Sequence, residues 1–374
     1  MVTLRILELL ASPVWTGPAE PIASLSAELR KRGHQIELAV DTRRQGELVE
    51  RLQALGFPPP SELALSTKSN PWVIAKDVAR LKALAGQFDL WHANFSHDHL
   101  LSLFASRGRN VRVIRTVHSS RSLSRRPLQR LAFRLTDGLI AICESHAQTL
   151  RERFGVPSER VTAIRGAVDA SRFAPDGPNL RAELQIESDA PVAGIVARIK
   201  PDRRHRELVQ AFTQVLPRLP EARLIIVGRG EGLPSLEAEV GRLGLSRQVI
   251  FAGYRTGAEL AAAYRTLDVK VLLAEGNDGT CRALLEAMAC GKPAIAYRFG
   301  APAETIVPGE TGILVEERQI GALGNAIFQL LSSRARARLM GEAARARVLQ
   351  LYQPSQRAQA VEEFFRTVLR LPRV

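Results

Sequence analysis

Two carboxylates lie eight residues apart in the segment EGNDGTCRALLEAMACGKP, where Asp278 precedes Glu286 by just over two helical turns. The apolar run DVKVLLA before this segment predicts a strand, and EGNDG predicts the turn into a helix. The backbone amides of Gly279, Thr280 and Cys281 would then point out of the helix mouth, as in a phosphate cradle. Glu286 could turn towards that mouth and accept hydrogen bonds from a diol, although exposure is the commonest fate of a helical glutamate.

A basic cluster follows another strand-like run in VARIKPDRRHRELVQAF. Arg198 ends that run, and Arg203 is expected to open the next helix. Cations at a helix N-terminus are unfavourable unless an anion binds there. We interpret Arg198 as an anion-binding residue, because it lies where an apolar strand meets the expected cleft. A solvated basic turn is the alternative for its neighbours. The turn GRGEG, with Gly228 and Gly230, is expected beside Arg198, and a plain left-handed turn is the alternative for at least one of these glycines.

Apolar runs alternate with helical patterns along the chain, which predicts βαβ units and parallel sheets. Strands of the first half are expected at 4–10, 34–40, 90–94, 112–118, 138–143 and 160–166. After a connector at 171–191, a second series is expected at 190–198, 222–228, 248–253, 268–274, 292–297 and 312–315. The 374 residues are therefore predicted to be α/β, with two Rossmann-like domains, 1–175 and 188–350, separated by a cleft.

The composition favours anionic partners, because 52 Lys and Arg against 38 Asp and Glu give a formal charge of +14. Such partners include nucleic acid, an acidic membrane leaflet and phosphorylated substrates. The cysteines Cys143, Cys281 and Cys290 lack metal-ligand spacing and are predicted to be small core residues in a reducing cytosol. No run approaches the ~18 apolar residues of a membrane span, and Arg5 and Glu8 interrupt the N-terminal run, which we interpret as a strand rather than a signal peptide.

The order and spacing of several segments resemble those of the retaining GT-B glycosyltransferases of family 4. In the second half these are VTAIRGAVDASRFAPDG, VARIKPDRR, LIIVGRGEG, VIFAGYRTGAELAAAYRTLDVKVLLA and DGTCRALLEAMACGKPAIA. The first half is similar more faintly, through TGPAEPIASLSAELRKRGH, WHANFSHD and TVHSS. The resemblance implies two Rossmann-like domains facing across a cleft: an N-terminal acceptor-binding domain and a C-terminal nucleotide-sugar domain. It also implies that the final helix, 354–374, crosses back to the first domain.

The resemblance implies roles for individual residues. Arg198 and Arg203 correspond to the pair that grips the donor diphosphate, with Arg203 standing where the family usually has lysine. Asp278 and Glu286 correspond to the Glu-x7-Glu signature, whose second carboxylate holds the ribose hydroxyls and whose first contacts the transferred sugar. Because Asp is about one methylene shorter than Glu, Glu275 is an alternative for the first role.

Further assignments rest on the same resemblance. Gly17 keeps the first glycine of the family's Gly-Gly loop near the diphosphate. His118 corresponds to the histidine close to the donor sugar, with a core histidine as the alternative. Loops 253–256 and 276–281 are expected to determine base and sugar specificity. The expected donor-binding residues are therefore Gly17, Arg198, Arg203, Gly228, Gly230, Tyr254, Asp278, Gly279, Thr280, Cys281 and Glu286.

The expected donor is a nucleotide sugar, with a UDP-sugar as the first choice. No metal is expected, because the sequence contains no Asp-x-Asp motif and the developing charge would be met by Arg198, Arg203 and helix amides. Residues expected to act in catalysis are His118, Arg198, Arg203, Asp278 and Glu286.

Residues 107–135 contain many arginines and no Asp or Glu. Helical periodicity places Leu128 and Leu131 on one face and Arg126, Arg130 and Arg134 largely on another. We interpret 121–134 as a patch for an anionic membrane surface, with a solvated surface helix as the alternative. Nucleic acid is not expected, because aromatic residues for base stacking are scarce.

We therefore expect a cytoplasmic glycosyltransferase, peripheral on the inner face of the plasma membrane. It would transfer a sugar to a glycan or lipid-linked acceptor in cell-envelope, lipopolysaccharide or surface-polysaccharide synthesis, with retention implied by resemblance alone. Two alternatives stay open: a nucleotide-sugar epimerase of the same fold, and a non-enzymatic binder of anionic surfaces or nucleic acid. Asp278 and Pro18 mildly favour the binder, whereas the intact Arg198 and Glu286 oppose it.

Overall fold

The computed structural model describes residues 2–12, 15, 18–41, 47–66, 69–124, 126–276 and 278–373, with the backbone alone for 47, 62 and 278–280. The described residues form two compact units. One contains 1–166, 277–279 and 354–374, and the other contains 167–276 and 280–353. Each unit is built on its own parallel sheet, the architecture that the alternation of strand and helix patterns predicts.

The sheet of the first unit has the strand order β3-β2-β1-β4-β5-β6-β7. Its strands are β1 (Arg5–Leu10), β2 (Gln35–Asp41), β3 (Ser61–Leu63), β4 (Leu90–Ala93), β5 (Arg112–Val117), β6 (Gly138–Ala141) and β7 (Val161–Ala163). The described helices between them are α1 (Ala19–Lys31), α2 (Glu47–Ala54), α3 (Pro71–Leu84), α4 (Ser96–Ser106), α5 (Pro127–Arg134) and α6 (Glu144–Glu152).

The sheet of the second unit has the order β10-β9-β8-β11-β12-β13. Its strands are β8 (Val192–Val196), β9 (Arg223–Val227), β10 (Val249–Gly253), β11 (Val269–Leu272), β12 (Ala294–Tyr297) and β13 (Gly312–Val315). Its described helices are α7 (His205–Thr213), α8 (Leu233–Arg242), α9 (Gly257–Thr266), α10 (Asp278–Ala289), α11 (Gly300–Thr305), α12 (Ile320–Leu331) and α13 (Arg334–Leu351). The final helix, α14 (Pro354–Arg370), groups with the first unit.

Both faces of each sheet are covered, so the strands are apolar nearly throughout. In β1, Ile6 belongs to the same buried cluster as Phe365 of α14. Its neighbour Leu7 belongs to the cluster on the opposite face, with Leu81 of α3. Successive side chains of a strand point to opposite faces, which explains this division.

Every strand expected from the sequence is present, with ends within three residues of the expected ones. The additional strand β3 escaped prediction because SEL is short and has no apolar run, and its pairing with β2 defines it. The connector 171–191 has no regular helix or strand, but Phe173, Leu180 and Ile186 are buried in the core of the second unit.

None of the described helices combines the length and the apolar character that a membrane span requires. The three cysteines are free and buried, as predicted for small core residues. They therefore belong to the packing of the two units.

Candidate active site

Each sheet has one place where the strand order reverses, and residues expected to bind the donor lie beside that place in the second unit. There β8 and β11 are hydrogen-bonded neighbours, although β9 and β10 lie between them in the chain. Ligands of open α/β sheets bind at the carboxyl ends of strands beside such a reversal. Arg198 follows the end of β8 and its side chain is exposed, and α10 begins at Asp278 after β11.

The basic turn after β8 differs in one detail from the expectation. A short 3₁₀ turn ends at Arg203 and the helix begins at His205, so Arg203 precedes the helix instead of opening it. The half-buried Arg203 side chain has Nη1 3.6 Å from Asp202 Oδ2. Arg204, at φ 60°, directs its guanidinium to Glu207 at 3.0 Å. Arg203 and Arg204 therefore have different surroundings although they are adjacent.

The glycine turn after β9 packs directly on the backbone that follows β8. A Cβ atom on Gly228 would lie 2.0 Å from the carbonyl oxygen of Ala197, and one on Gly230 would lie 2.2 Å from that of Ile199. Gly228 also has φ 147°, which side chains disfavour. Both glycines are therefore required by close backbone contact, and they fix the turn that carries Arg198.

Glu286 is buried, with 3% of its surface exposed, so the alternative of an exposed helical glutamate is wrong. The hydroxyl of Tyr264 donates to its Oε2 at 2.7 Å. Nε of Arg282, one turn earlier in α10, lies 3.2 Å from its Oε1. These two partners offset the cost of removing a carboxylate from water.

A buried lysine interacts electrostatically with Glu286. Lys270, in the middle of β11, is fully buried, and among the described residues its Nζ has no hydrogen-bond partner. Burial lowers the pKa of Lys270 to about 7, although Glu286 acts in the opposite direction. Burial, with Lys270 and Arg203, lowers the pKa of His205 to about 4. Burial and Glu286 raise the pKa of Tyr264 well above its ordinary value, so its phenol remains a donor.

The other expected donor-binding residues have varied surroundings. Cys281 is buried, whereas Tyr254 is 56% exposed and its ring centroid lies 4.3 Å from the guanidinium of Arg229. Glu275 is half-buried, and its backbone carbonyl accepts the N–H of Ala301 at 3.2 Å. Gly17 lies outside the described residues, and only the backbone is described for Asp278, Gly279 and Thr280. The choice between Asp278 and Glu275 for the first acidic role therefore stays a prediction.

The first unit has its own polar cluster at the strand-order reversal between β1 and β4. His118, just after β5, is buried, and its Nε2 lies 3.0 Å from Oδ1 of Asn94. The amide Nδ2 of Asn94 donates to Oε2 of Glu8 at 3.1 Å. The other oxygen of Glu8 lies 2.8 Å from Nδ1 of His92. Four polar side chains, from β1, from β4 and from the segments after β4 and β5, are thus joined.

Asp98 holds the backbone beside this cluster. Its carboxylate accepts the N–H groups of Phe95 at 2.8 Å, Ala11 at 3.2 Å and Asn94 at 3.4 Å. These bonds tie the start of α4 to the segment after β1. The position of Asn94 is therefore fixed through its backbone as well as its side chain.

Sequence patterns missed Tyr264, Lys270, Asn94 and Glu8. A charged residue inside an apolar strand, as in RILELL and DVKVLLA, is the signal that could have identified Glu8 and Lys270. No local pattern identifies Tyr264 or Asn94. Among the described residues no cluster of three or more His, Cys, Asp or Glu side chains could hold a metal ion.

Two family profiles match the chain in succession: Glycosyltransferase Family 4 over residues 17–172, and Glycosyl transferases group 1 over residues 176–347. A GDP-mannose-dependent alpha-(1-6)-phosphatidylinositol monomannoside mannosyltransferase of Mycolicibacterium smegmatis is 30% identical over 283 residues, which cover 71% of this chain and 74% of that enzyme. The chain belongs to the family 4 glycosyltransferases. It is therefore a nucleotide-sugar-dependent transferase, and the epimerase and non-enzymatic alternatives are not retained.

Solved structures agree on the fold of this glycosyltransferase. A glycosyltransferase from Rickettsia africae ESF-5 has a TM-score of 0.85 at 19% identity and covers 99% of this chain and 100% of its own. The Anabaena protein Alr3699/HepE in complex with UDP-glucose has a TM-score of 0.81 at 21% identity, with 97% and 100% coverage. The predicted GT-B fold is confirmed.

Proposed function

We propose that this glycosyltransferase transfers a hexose, with retention and without a metal ion, from a nucleoside-diphosphate sugar to an anionic, lipid-linked acceptor of the cell envelope. The part of this proposal that concerns the nucleotide-sugar donor rests on the buried carboxylate of Glu286 at the strand-order reversal of the second unit. An ionised carboxylate only accepts hydrogen bonds and offers about four lone-pair sites, so Glu286, which meets the phenol of Tyr264 and the guanidinium of Arg282, is the proposed acceptor for the ribose hydroxyls.

The diphosphate is assigned to the turn after β8. Breaking the sugar–phosphate bond develops negative charge on the leaving group, and donors fixed in advance stabilise that charge. Arg198, Arg203 and the first amides of α10 are the proposed donors. The side chain of Arg198 is exposed, and that of Arg203 is half-buried. As in the family, the departing phosphate would assist deprotonation of the acceptor on the same face of the sugar.

The sugar is assigned to His118 from the first unit and to Asp278, with Glu275 as the alternative acidic residue. A UDP-hexose is the proposed donor. GDP-mannose is the donor named for the Mycolicibacterium smegmatis relative, so both bases belong in the first test.

The decisive experiment measures nucleoside diphosphate release from UDP-, GDP- and ADP-sugars with EDTA present, in wild type, E286Q and E342Q. We expect turnover with one donor class although EDTA is present. In E286Q we expect turnover to fall by roughly a hundredfold or more, which is the usual effect of removing one preorganised active-site contact. E342Q is the matched control, because Glu342 is an exposed helical glutamate of the same unit. Equal turnover of E286Q and wild type would remove Glu286 from the site. NMR of the product anomeric proton would test retention.

The acceptor proposal rests on a groove between α4 and α5 in the first unit. This α4–α5 groove has a volume of about 300 Å³, and its apolar lining includes Leu103, Phe104, Leu128, Leu131 and Leu135. Phe104, Leu128 and Leu131 are more than half exposed. The neighbouring Arg126, Arg130 and Arg134 are exposed as well. Apolar side chains surrounded by arginines suit the interface of an anionic membrane.

Vesicle sedimentation tests this surface with phosphatidylcholine vesicles that contain or lack phosphatidylglycerol. We expect binding only to the anionic vesicles and a loss of the order of a hundredfold in R126Q/R130Q/R134Q, at ~1 kcal/mol per arginine. The control R242Q/R336Q/R338Q removes the same charge from exposed positions of the second unit. Equal losses in both triple variants would attribute binding to net charge and contradict docking through the α4–α5 groove.

A further inference from the structure

Lys270 is the one charged residue of β11. The next residue, Val271, belongs to the buried cluster on one face of the sheet, with Phe212 of α7. Leu272, two residues after Lys270, belongs to the cluster on the other face, with Tyr264 of α9. Successive side chains of a strand alternate between the two faces, so Lys270 and Leu272 share a face. The side chain of Lys270 therefore points into the layer that contains Tyr264.

The strands on either side of Lys270 leave room for its side chain. In the register of the sheet it lies opposite Gly194 of β8 and Ala294 of β12. It is fully buried, and within the part of the chain that the structure describes its Nζ has no hydrogen-bond partner. A buried amine in this state costs free energy, whereas an apolar side chain of similar length would fill the space without that cost. The lysine at this position therefore points to a role other than stability.

Two buried side chains from other elements interact electrostatically with Lys270. One is Glu286 of α10, and the other is His205 at the start of α7. Glu286 also meets the phenol of Tyr264 and the guanidinium of Arg282. Arginine stays protonated, burial and Glu286 hold the pKa of Tyr264 well above its ordinary value, and burial keeps the pKa of His205 at about 4. Lys270, with a pKa of about 7, is therefore the basic group of this cluster that titrates near neutral pH.

We propose that Lys270 is a positioning residue for donor binding, which takes up a proton from solvent when the nucleotide sugar binds and then holds the carboxylate of Glu286 towards the ribose as its counter-ion. This role rests on the proposed function, which assigns the ribose to Glu286 and the diphosphate to the turn after β8. The diphosphate brings negative charge to the end of β8, which is the hydrogen-bonded neighbour of β11. Negative charge nearby favours the protonated form of a lysine.

Proton uptake makes the donor affinity depend on pH, and the sign of this dependence is fixed. The pKa of Lys270 is about 7 in the free enzyme and higher in the donor complex. Between these two values the complex binds a proton that the free enzyme does not, so the donor affinity falls as the pH rises, by at most about tenfold per pH unit. A lysine with a merely structural role would leave the donor affinity independent of pH in this range.

Isothermal titration calorimetry at pH 8 counts the protons when binding is measured in buffers with different ionisation enthalpies. The probes are UDP-glucose and GDP-mannose, whose diphosphate diesters do not titrate near this pH. We expect wild type to take up roughly half a proton or more with the probe that it binds, because Lys270 is mostly neutral in the free enzyme at pH 8. The Kd of wild type for that probe should rise between pH 7 and pH 8, whereas the Kd of K270M should stay constant.

H205Q is the matched control, because it removes the neighbouring imidazole and keeps the amine of Lys270. We expect H205Q to take up protons as wild type does, and K270M to take up none. Uptake that persists in K270M would assign the proton to another group and overturn the role of Lys270. Donor binding by wild type without uptake would overturn that role with no variant needed, and would leave the proposed donor site intact. If wild type binds neither probe, the proposed donor site fails, and the role of Lys270 fails with it.

Discussion

The carboxylate of Glu286 accepts a hydrogen bond from the phenol of Tyr264 and forms an ion pair with the guanidinium of Arg282. Removal of one partner leaves a buried acceptor short of a hydrogen bond, which costs more than the bond contributes. We expect Y264F to lower the free energy of unfolding by about 1–3 kcal/mol. It should also raise the donor KM, because the freed carboxylate can turn away from the ribose. Urea unfolding and donor titration measure the two effects.

Y352F is the control for Y264F. Tyr352 lies in the same buried cluster, and its hydroxyl has no hydrogen-bond partner among the described residues. Loss of that hydroxyl should therefore change stability little. If both variants are destabilised equally, the effect of Y264F comes from packing and not from the bond to Glu286.

Lys270 makes the free energy of unfolding depend on pH, and its lowered pKa fixes the direction of that dependence. Its pKa is lowered from 10.5 to about 7 by burial. Between these pH values the unfolded chain binds a proton that the folded chain does not, so this group makes the free energy of unfolding rise with pH. We expect K270M to be more stable than wild type at pH 7, by about 1–4 kcal/mol, with an advantage that shrinks towards pH 10. Chemical unfolding at several pH values measures it, and a pH-independent difference would show that Lys270 is charge-paired.

At the scale of elements, the turns after β8 and β9 hold each other in place through glycine. A methyl group on Gly230 would lie 2.2 Å from the carbonyl oxygen of Ile199, so the two turns would have to separate. We expect G230A to lower the free energy of unfolding by more than about 1 kcal/mol and to weaken donor binding, because the turn with Arg198 moves. Thermal unfolding and donor titration provide the measurements.

Gly241 in α8 offers the comparison, since no atom lies within 4 Å of a Cβ placed there. Alanine in a helix interior is favoured over glycine by roughly 0.5–1 kcal/mol. G241A should therefore stabilise the chain and leave donor binding unchanged. A stabilising G230A would contradict the close contact of the two turns.

At the scale of the whole molecule, residues far apart in the chain complete the first unit. Glu362 of α14 lies 2.6 Å from Arg32 Nε, 2.8 Å from Arg366 Nη2 and 3.4 Å from His34 Nε2. Burial works against its charge, but Arg32, Arg366 and His34 outweigh burial and lower its pKa to about 2. The stability that Glu362 contributes is therefore present above pH ~4.5 and is lost as the pH falls towards 2.

We expect E362Q to be less stable than wild type at pH 7 and the two proteins to converge between pH ~4.5 and 2. Unfolding curves over this range measure the difference. E363Q is the neighbouring control, because Glu363 is exposed and should contribute little at any pH. If the free energy of unfolding of E362Q lies below that of wild type by the same amount at every pH in this range, the charge of Glu362 is not what holds α14.

The sequence by itself determined the α/β class and the positions of the strands, because a buried parallel strand is a local apolar run between turns. It also identified Arg198, Gly228, Gly230 and Glu286 as candidates, since ordered motifs after successive strands are read along the chain. It could not decide between a buried and an exposed Glu286, because both fates are compatible with the residues on either side.

Only the tertiary structure decided which residues surround the candidates. Tyr264 is 22 residues from Glu286, and Asn94 lies 24 residues from His118 and 86 from Glu8. No local periodicity links such positions, because the strand order of each sheet brings them together. The same holds for β3, whose three residues become a strand through pairing with β2. Side-chain patterns are local, whereas hydrogen-bond partners and burial depend on how distant strands and helices pack.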